Sequence, residues 1–230
     1  MKKEDLESFA ERGDPYAAFS LGVIAEQVDA NRDSAAQWYR RAATSTPLAS
    51  AALAALLLFD GTRMQTSGAR FDEGRRWAQD AADRGCALGY LLLGFLERAK
   101  CDHEDAARTM DLFLKAKLLG SLRAEIELAS ILIDVASPHY DPIWAEQLIS
   151  AAFARGDKSA ISLMALVHFI SGRQEQGLIT LRQGIAARDR KSLLHMAMLC
   201  RLGQNGVAID KSKALSLERE ADSLPQISIV

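Results

Sequence analysis

The sequence predicts an all-α fold, a right-handed α-solenoid of about six helix–turn–helix repeats. Three observations point there. One string recurs: Trp38-Tyr39-Arg40-Arg41-Ala42-Ala43 and Trp77-Ala78-Gln79-Asp80-Ala81-Ala82 both read aromatic, three residues, paired alanine. Breaks also recur, with Gly85, Gly120, Gly156 and Asp189 standing 35, 36 and 33 residues apart. Finally, no apolar–polar alternation bounded by turn residues marks a strand. One helix pair cannot bury its own apolar stripe, whereas stacked pairs share a continuous core, so a repeat of this length reads as a solenoid.

The elements follow in order. Lys3 to Arg12 forms a lone opening helix that caps the N-terminal end, with Leu6 and Phe9 on one face and Lys3, Glu4, Glu7 and Glu11 on the other. Gly13 opens the first unit. The first helix of each unit is short and rich in Ala and Leu: Tyr16 to Glu26, Leu48 to Phe59, Ala87 to Arg98, Leu122 to Ile133, Ser159 to Ile170 and Ser192 to Leu202. The second is more amphipathic, as in Asp33 to Ala43, Phe71 to Asp83, Glu104 to Leu118, Ile143 to Ala154 and Lys211 to Asp222. Small residues at fixed offsets (Ala17, Gly22, Gly89, Gly94, Ala124, Ala129, Ala160, Ala165) let backbones approach closely. Glycines at the junctions take the left-handed conformation that ends a helix. The second unit is longer, with its surplus in the polar stretch Gly61 to Arg70. The repeat domain is expected to span 1–223. Pro225 ends the last helix, and 224–230 forms a tail that frays, docks on its own last pair, pairs with a strand edge or enters a partner's pocket.

Composition narrows the function classes. With 49% hydrophobic residues over 230 positions the chain is not disordered. Its formal net charge of -2 leaves no excess of cations to neutralise phosphates, so nucleic acid is not an expected partner. Arg188, Arg190 and Lys191 are interrupted by Asp189 and read as a solvated helix junction. The longest uncharged run, Ala42 to Phe59, holds Thr44, Ser45, Thr46 and Pro47. Its apolar remainder falls short of the ~20 residues that span a bilayer, so no membrane is expected. Lys2 and Lys3 are followed by Glu4, Asp5 and Glu7 rather than by an apolar signal segment. The expected compartment is the cytoplasm, with Cys86, Cys101 and Cys200 as reduced thiols.

At the repeat residues the chain resembles the Sel-1-like repeat family, relatives of the tetratricopeptide repeats. Gly13-Asp14-Pro15-Tyr16-Ala17 followed by Leu21-Gly22 matches the start of the family pattern, and Leu93-Gly94 matches part of it again. Gly206-Val207-Ala208-Ile209-Asp210-Lys211-Ser212-Lys213-Ala214 matches its middle. Trp38 and Trp77, each with an Ala-Ala pair, match its end. Leu112, Leu148 and Leu181 stand where the aromatic is expected. The resemblance implies a scaffold for protein contacts, although fold constrains function only loosely. The secreted, disulfide-stapled members and their penicillin-binding activity are not expected, because paired cysteines are absent.

Residue patterns that carry chemistry are few. His103, His139, His168 and His195 fall in no zinc spacing, and no Cys-x-x-Cys exists. Cys101-Asp102-His103-Glu104 reads as the polar start of a helix, with Asp102 as its cap, so no metal is expected. Gly203-Gln204-Asn205-Gly206 lies in an inter-helix turn rather than in a phosphate loop. Cys200 and His195, five apart on one helix, fall on different faces. No catalytic residue and no cofactor is expected.

In tetratricopeptide-like arrays the first helix of each pair lines the concave face, and the resemblance carries those offsets onto this chain. The candidate partner-binding residues are Tyr16, Phe19, Phe59, Leu91, Phe95, Arg98, Arg123, Ile126, Phe169 and His195. Many are apolar. One reading is a groove for an amphipathic helix or apolar peptide, with Arg98 and Arg123 meeting a carboxylate. The other is that a tightly wound superhelix buries these side chains itself. The functional expectation is a non-enzymatic module that binds one protein or peptide partner. A sharper version is a bacterial immunity or regulatory protein that neutralises a toxin or secreted effector. The alternatives are a helical hydrolase, or a homo-oligomer that buries its own groove.

Overall fold

A computed structural model describes residues 2–61, 63–100, 106–155 and 160–224. The chain is 75% helical, an all-α solenoid whose helices pack in consecutive pairs. Two compact units divide it, one reaching to Ser121 and one starting at Leu122. The first holds α1 (Lys3–Glu11), α2 (Pro15–Gln27), α3 (Arg32–Ala43), α4 (Pro47–Leu58), α5 (Ala69–Asp83), α6 (Ala87–Arg98) and α7 (Ala106–Leu118). The second holds α8 (Leu122–Leu132), α9 (Pro142–Ala154), α10 (Ile161–Ile170), α11 (Gln174–Ala186), α12 (Arg190–Leu202) and α13 (Lys211–Ser223). Every helix expected from the repeat is present. The Cys101–Glu104 cluster, the Gly156 junction, Ser159 and the tail from Pro225 lie outside the described residues.

The helix ends explain the sharp spacing. At the close of α5, Gly85 takes φ +77°. Its amide donates to the Ala82 carbonyl and that of Cys86 to Ala81. This paired bonding satisfies the last carbonyls of a helix and turns the chain at once. The same pair of bonds closes α1 at Gly13 and Asp14, α7 at Gly120 and Ser121, and α11 at Arg188 and Asp189. Arg188 is the departure, a side-chain-bearing residue at φ 56° where its sister junctions have glycine. At two of these junctions the residue after the turn caps the next helix: Asp14 accepts from the amides of Tyr16 and Ala17, and Asp189 from Ser192.

Pairs are tied by arginines that reach across to exposed helix ends. Arg41 donates to the Ala10 carbonyl at 2.9 Å, Arg84 to the Ala43 carbonyl at 2.7 Å, and Arg190 to the Ala221 carbonyl at 3.1 Å. Each adds a charged donor to a terminal carbonyl at the negative end of a helix dipole. Arg32 does the same for α4, with its guanidinium 2.5 Å from the carbonyls of Leu56 and Phe59.

The small residues at fixed offsets are buried at every described repeat position. A Cβ on Gly22 would meet the Tyr39 ring at 2.5 Å, and one on Gly94 the Phe113 ring at 2.4 Å. Three details differ from expectation. In α1 the core face is Leu6 and Ala10, whereas Phe9 is half exposed beneath the Arg12 guanidinium. After α4 the chain makes a short antiparallel bridge, β1 (Phe59–Asp60) with β2 (Arg63–Met64), so Phe59 stands in a strand rather than at the end of the expected helix, and the polar surplus from Gly61 begins as a hairpin. In the fifth unit Leu181 is fully buried and occupies the place of Tyr39 and Phe113, one residue on from the Trp38 place. Burial, not aromaticity, fixes that register.

Candidate functional site

The ten expected groove residues divide by exposure. Phe59, Leu91, Phe95 and Ile126 are 7%, 3%, 7% and 2% exposed, so they are core rather than a row of surface contacts. The cause is visible in the first unit. Phe95 sits edge-on between Phe59 at 6.4 Å and Phe113 at 5.7 Å. Helix α4 is buried on every face from Ala49 to Leu58. Phe19 is partly covered, 5.7 Å from the Tyr39 ring. Arg98 lies over the Phe95 and Phe113 rings at 5.2 and 5.8 Å. Tyr16 is open, at 73%. In the second unit Arg123 is held by Glu127 at 2.8 Å. Phe169 and His195 meet edge-to-face at 5.6 Å, both partly covered. The offsets imported onto the first helices therefore reach open surface at Tyr16 and Arg98, partly covered positions at Phe19, Arg123, Phe169 and His195, and the core at the other four.

Polar groups gather in two places. Between α9, α10 and α11, Arg173 makes a two-pronged pair with Glu146 at 2.9 and 2.7 Å. That bond holds the Glu146 carboxyl below its ordinary value. Burial, aided by the Arg173 charge, lowers His168. The carboxylate is already committed to an arginine, so the group is a structural ion pair with a neutral imidazole beside it. Among the described residues no three His, Cys, Asp or Glu side chains converge as a metal site would require.

The second place is a cleft of about 530 Å³ in the first unit. Its floor is α6, where Tyr90, Leu93 and Glu97 form a stripe at i, i+3 and i+7, one face of a helix. One wall is α5, with Arg75, Gln79 and Asp83 at successive fourth positions. The other is α7, with Arg108, Asp111, Leu112 and Lys115. Most of the charges are already paired. Lys115 meets Asp111 at 2.8 Å, and this hydrogen bond raises the lysine above its ordinary value. Arg108 meets Glu97 at 3.6 Å, and Gln79 donates to Asp83 at 2.7 Å. Arg75 makes no hydrogen bond or ion pair among the described residues. A smaller recess of about 170 Å³ adjoins the cleft, shares Arg75, Leu93 and Glu97 with it, and adds Phe71 and Leu96.

No family model matches the chain's sequence, and no curated protein matches it. Solved structures do. A protective antigen present in uropathogenic Escherichia coli strains, displaying an SLR fold, matches 95% of this chain at 20% identity with a TM-score of 0.69. This chain spans 48% of that protein, about half its length. A Sel1 repeat protein from Oxalobacter formigenes matches 94% of this chain and 88% of its own, at 17% identity and a TM-score of 0.68. The chain has the Sel1-like repeat fold.

Within the Sel1-like repeat fold the buried first-helix residues fall into place, since close stacking of pairs covers the inward row. The cleft was not legible in the sequence. Its lining spans Arg75 to Lys115 on three helices, and each charged stripe alone reads as a solvated face. The one available signal is Leu93 with Leu112, apolar residues on otherwise polar stripes. No helix among the described residues is long and apolar enough to cross a membrane.

Proposed function

We propose that the chain is a non-enzymatic protein-interaction module that holds a protein or peptide partner in the α5–α6–α7 cleft. One observation carries this reading. The cleft is a trough walled by two helices over a third, with Leu93 on its floor, Leu112 on one wall and charged side chains along its rims. An extended segment lying in it would bury apolar side chains centrally and exchange polar contacts at the edges, the usual anatomy of a protein interface. The Sel1-like repeat fold supports the reading, because its helix pairs act as a rigid frame with variable surface. The ion-paired state of most rim charges argues against acid–base chemistry there, since each carboxylate with a cation beside it is stabilised in its ionised form.

The test is selection from a displayed library of random twelve-residue peptides against the full chain, followed by titration of the best sequence. The same titration on Leu93→Asp places a carboxylate on the floor. Saturable binding that drops at least about tenfold in the variant, with the helical circular dichroism and melting temperature unchanged, supports the cleft. Peptides that bind both proteins equally would place the interaction elsewhere. Failure to enrich any sequence would remove the module reading.

A further inference from the structure

The cleft has a charge and shape asymmetry that selects among partners. Its larger part carries four cations, Arg75, Arg76, Arg108 and Lys115, against three carboxylates. Lys115 is taken by Asp111, and Arg108 by Glu97. Glu97 also receives Lys100 at 2.6 Å, and Asp83 accepts from the Gln79 amide. Arg76 lies in the field of Glu73, which is itself held by two hydrogen bonds from Arg40. Arg75 is therefore an uncommitted guanidinium on a wall whose carboxylates are all engaged. It lies where the charged trough meets the apolar recess, lining both. The recess has about 170 Å³ of free space, against ~30 Å³ for a water in the liquid, so it holds several heavy atoms, the scale of one side chain. Phe71, Leu93 and Leu96 surround it. Tyr90 adds a phenol on the floor that makes no hydrogen bond among the described residues.

We propose that the cleft recognises an extended segment of a partner protein in which an acidic side chain neighbours a bulky aliphatic or aromatic one. The inference rests on the module reading above and specifies its partner. The bulky side chain enters the Phe71–Leu93–Leu96 recess, and the neighbouring carboxylate meets the Arg75 fork, which suits two parallel hydrogen bonds to carboxylate oxygens. A basic segment is disfavoured by the same feature, because it would set its charge against Arg75 and Arg76 while Glu97 and Asp111 are already paired with cations.

The probe is the peptide selected above, together with synthetic versions carrying Glu→Gln, Glu→Lys and bulky→Ala changes. Wild-type protein is compared with Arg75→Glu and Phe71→Ala. The expected selection is enriched for Asp or Glu within two residues of Leu, Ile, Met or Phe. Arg75→Glu weakens the acidic peptide about tenfold or more, as loss of a charge-assisted bond and gain of repulsion require. It also improves the Glu→Lys peptide relative to wild type. Phe71→Ala shrinks the difference between the bulky and Ala peptides and leaves the Glu-to-Gln difference in place. Both residues lie outside the buried core, so a melting temperature close to wild type shows that each variant folds. Enriched peptides without an acidic residue, or with affinity indifferent to Arg75→Glu, overturn the inference while leaving the module intact. Absence of any enriched peptide overturns both.

Discussion

The helix pair α6–α7 in the first unit and the pair α10–α11 in the second solve one packing problem in opposite senses. In the first, glycine stands on the leading helix: a Cβ on Gly94 would meet the Phe113 ring of α7 at 2.4 Å. In the second, glycine stands on the following helix: a Cβ on Gly177 would meet the Phe169 ring of α10 at 2.4 Å. The same alternation holds nearby, with Gly22 under Tyr39 in α2–α3 and Gly74 against Leu58 in α4–α5. Each pair needs one ring or branched side chain and one missing side chain at its closest approach, and either helix can supply either part. The difference lies in the ring's surroundings. Phe113 is fully buried, flanked by Phe95 and covered by Arg98. Phe169 is partly exposed and touches His195. Equal distances therefore carry unequal stiffness.

The largest expected effect is Phe113→Ala, which empties a site with no exposure. It should cost about 3–5 kcal/mol in urea unfolding of the full chain. Phe169→Ala should cost about 2 kcal/mol, because part of that ring is already in water. Equal losses would show that the two pairs are equally rigid and would end the comparison.

Gly94→Ala comes next. Its methyl would press on a ring that cannot retreat, costing roughly 1–3 kcal/mol of overpacking, with up to ~1 kcal/mol returned by the better helix former. In a Phe113→Ala background the same change should be neutral or stabilising, since the new methyl enters the space the ring left. That non-additivity is the direct signature of the contact. Gly177→Ala should lie within about 0.5 kcal/mol of wild type: Phe169 can swing toward solvent, and helix propensity offsets what strain remains. A loss at Gly177 matching that at Gly94 would show that the Phe169 ring is held as firmly as Phe113.

The contrast also explains what the sequence disclosed. Helix boundaries were legible within a residue or two because local chemistry writes them: Asp14 with Pro15, Pro47, Asp141 with Pro142, Asp189 and Asp210 all mark first turns. The paired small positions were legible as a period. Helix α11 is the one the sequence left without bounds, since Gln174-Glu175-Gln176-Gly177 has neither a side-chain cap nor an apolar opening. Which helix carries the ring was not legible, because a glycine and an aromatic on different helices, 19 residues apart for Gly94 and Phe113 and 8 for Phe169 and Gly177, do not announce a partnership. Nor was the fate of Phe59, Leu91, Phe95 and Ile126. An i, i+3, i+7 row reads alike whether a neighbouring pair covers it or not. The Arg75 cleft was hidden for the complementary reason: it exists only where three separate stripes are brought side by side.

The smallest effect separates the pairs by pH. His195, beside Phe169, is lowered from the ordinary histidine value of 6.5 chiefly by burial, partly opposed by a hydrogen bond with the Ser162 backbone. His168, on the same helix as Phe169, is lowered too, by burial and then by Arg173. A group lowered in the folded state binds its proton more weakly there than in the unfolded chain. Above about pH 6.5 both states are neutral at these sites, and neither histidine costs stability. As pH falls below 6.5 the unfolded chain takes protons first, so stability declines until the folded pKa values are passed. The α6–α7 pair has no histidine among its described residues and contributes nothing to that slope. Urea midpoints measured between about pH 7.5 and 5 should therefore fall for wild type and fall less for His195→Gln. Combining Gly177→Ala with the acid range should shallow the decline, because a displaced Phe169 ring leaves the imidazole better solvated and brings its folded value back toward the ordinary one. Parallel pH curves for wild type and His195→Gln would mean that the ring carries its charge without cost, and that the α10 side of the pair is more open than its packing against Phe169 indicates.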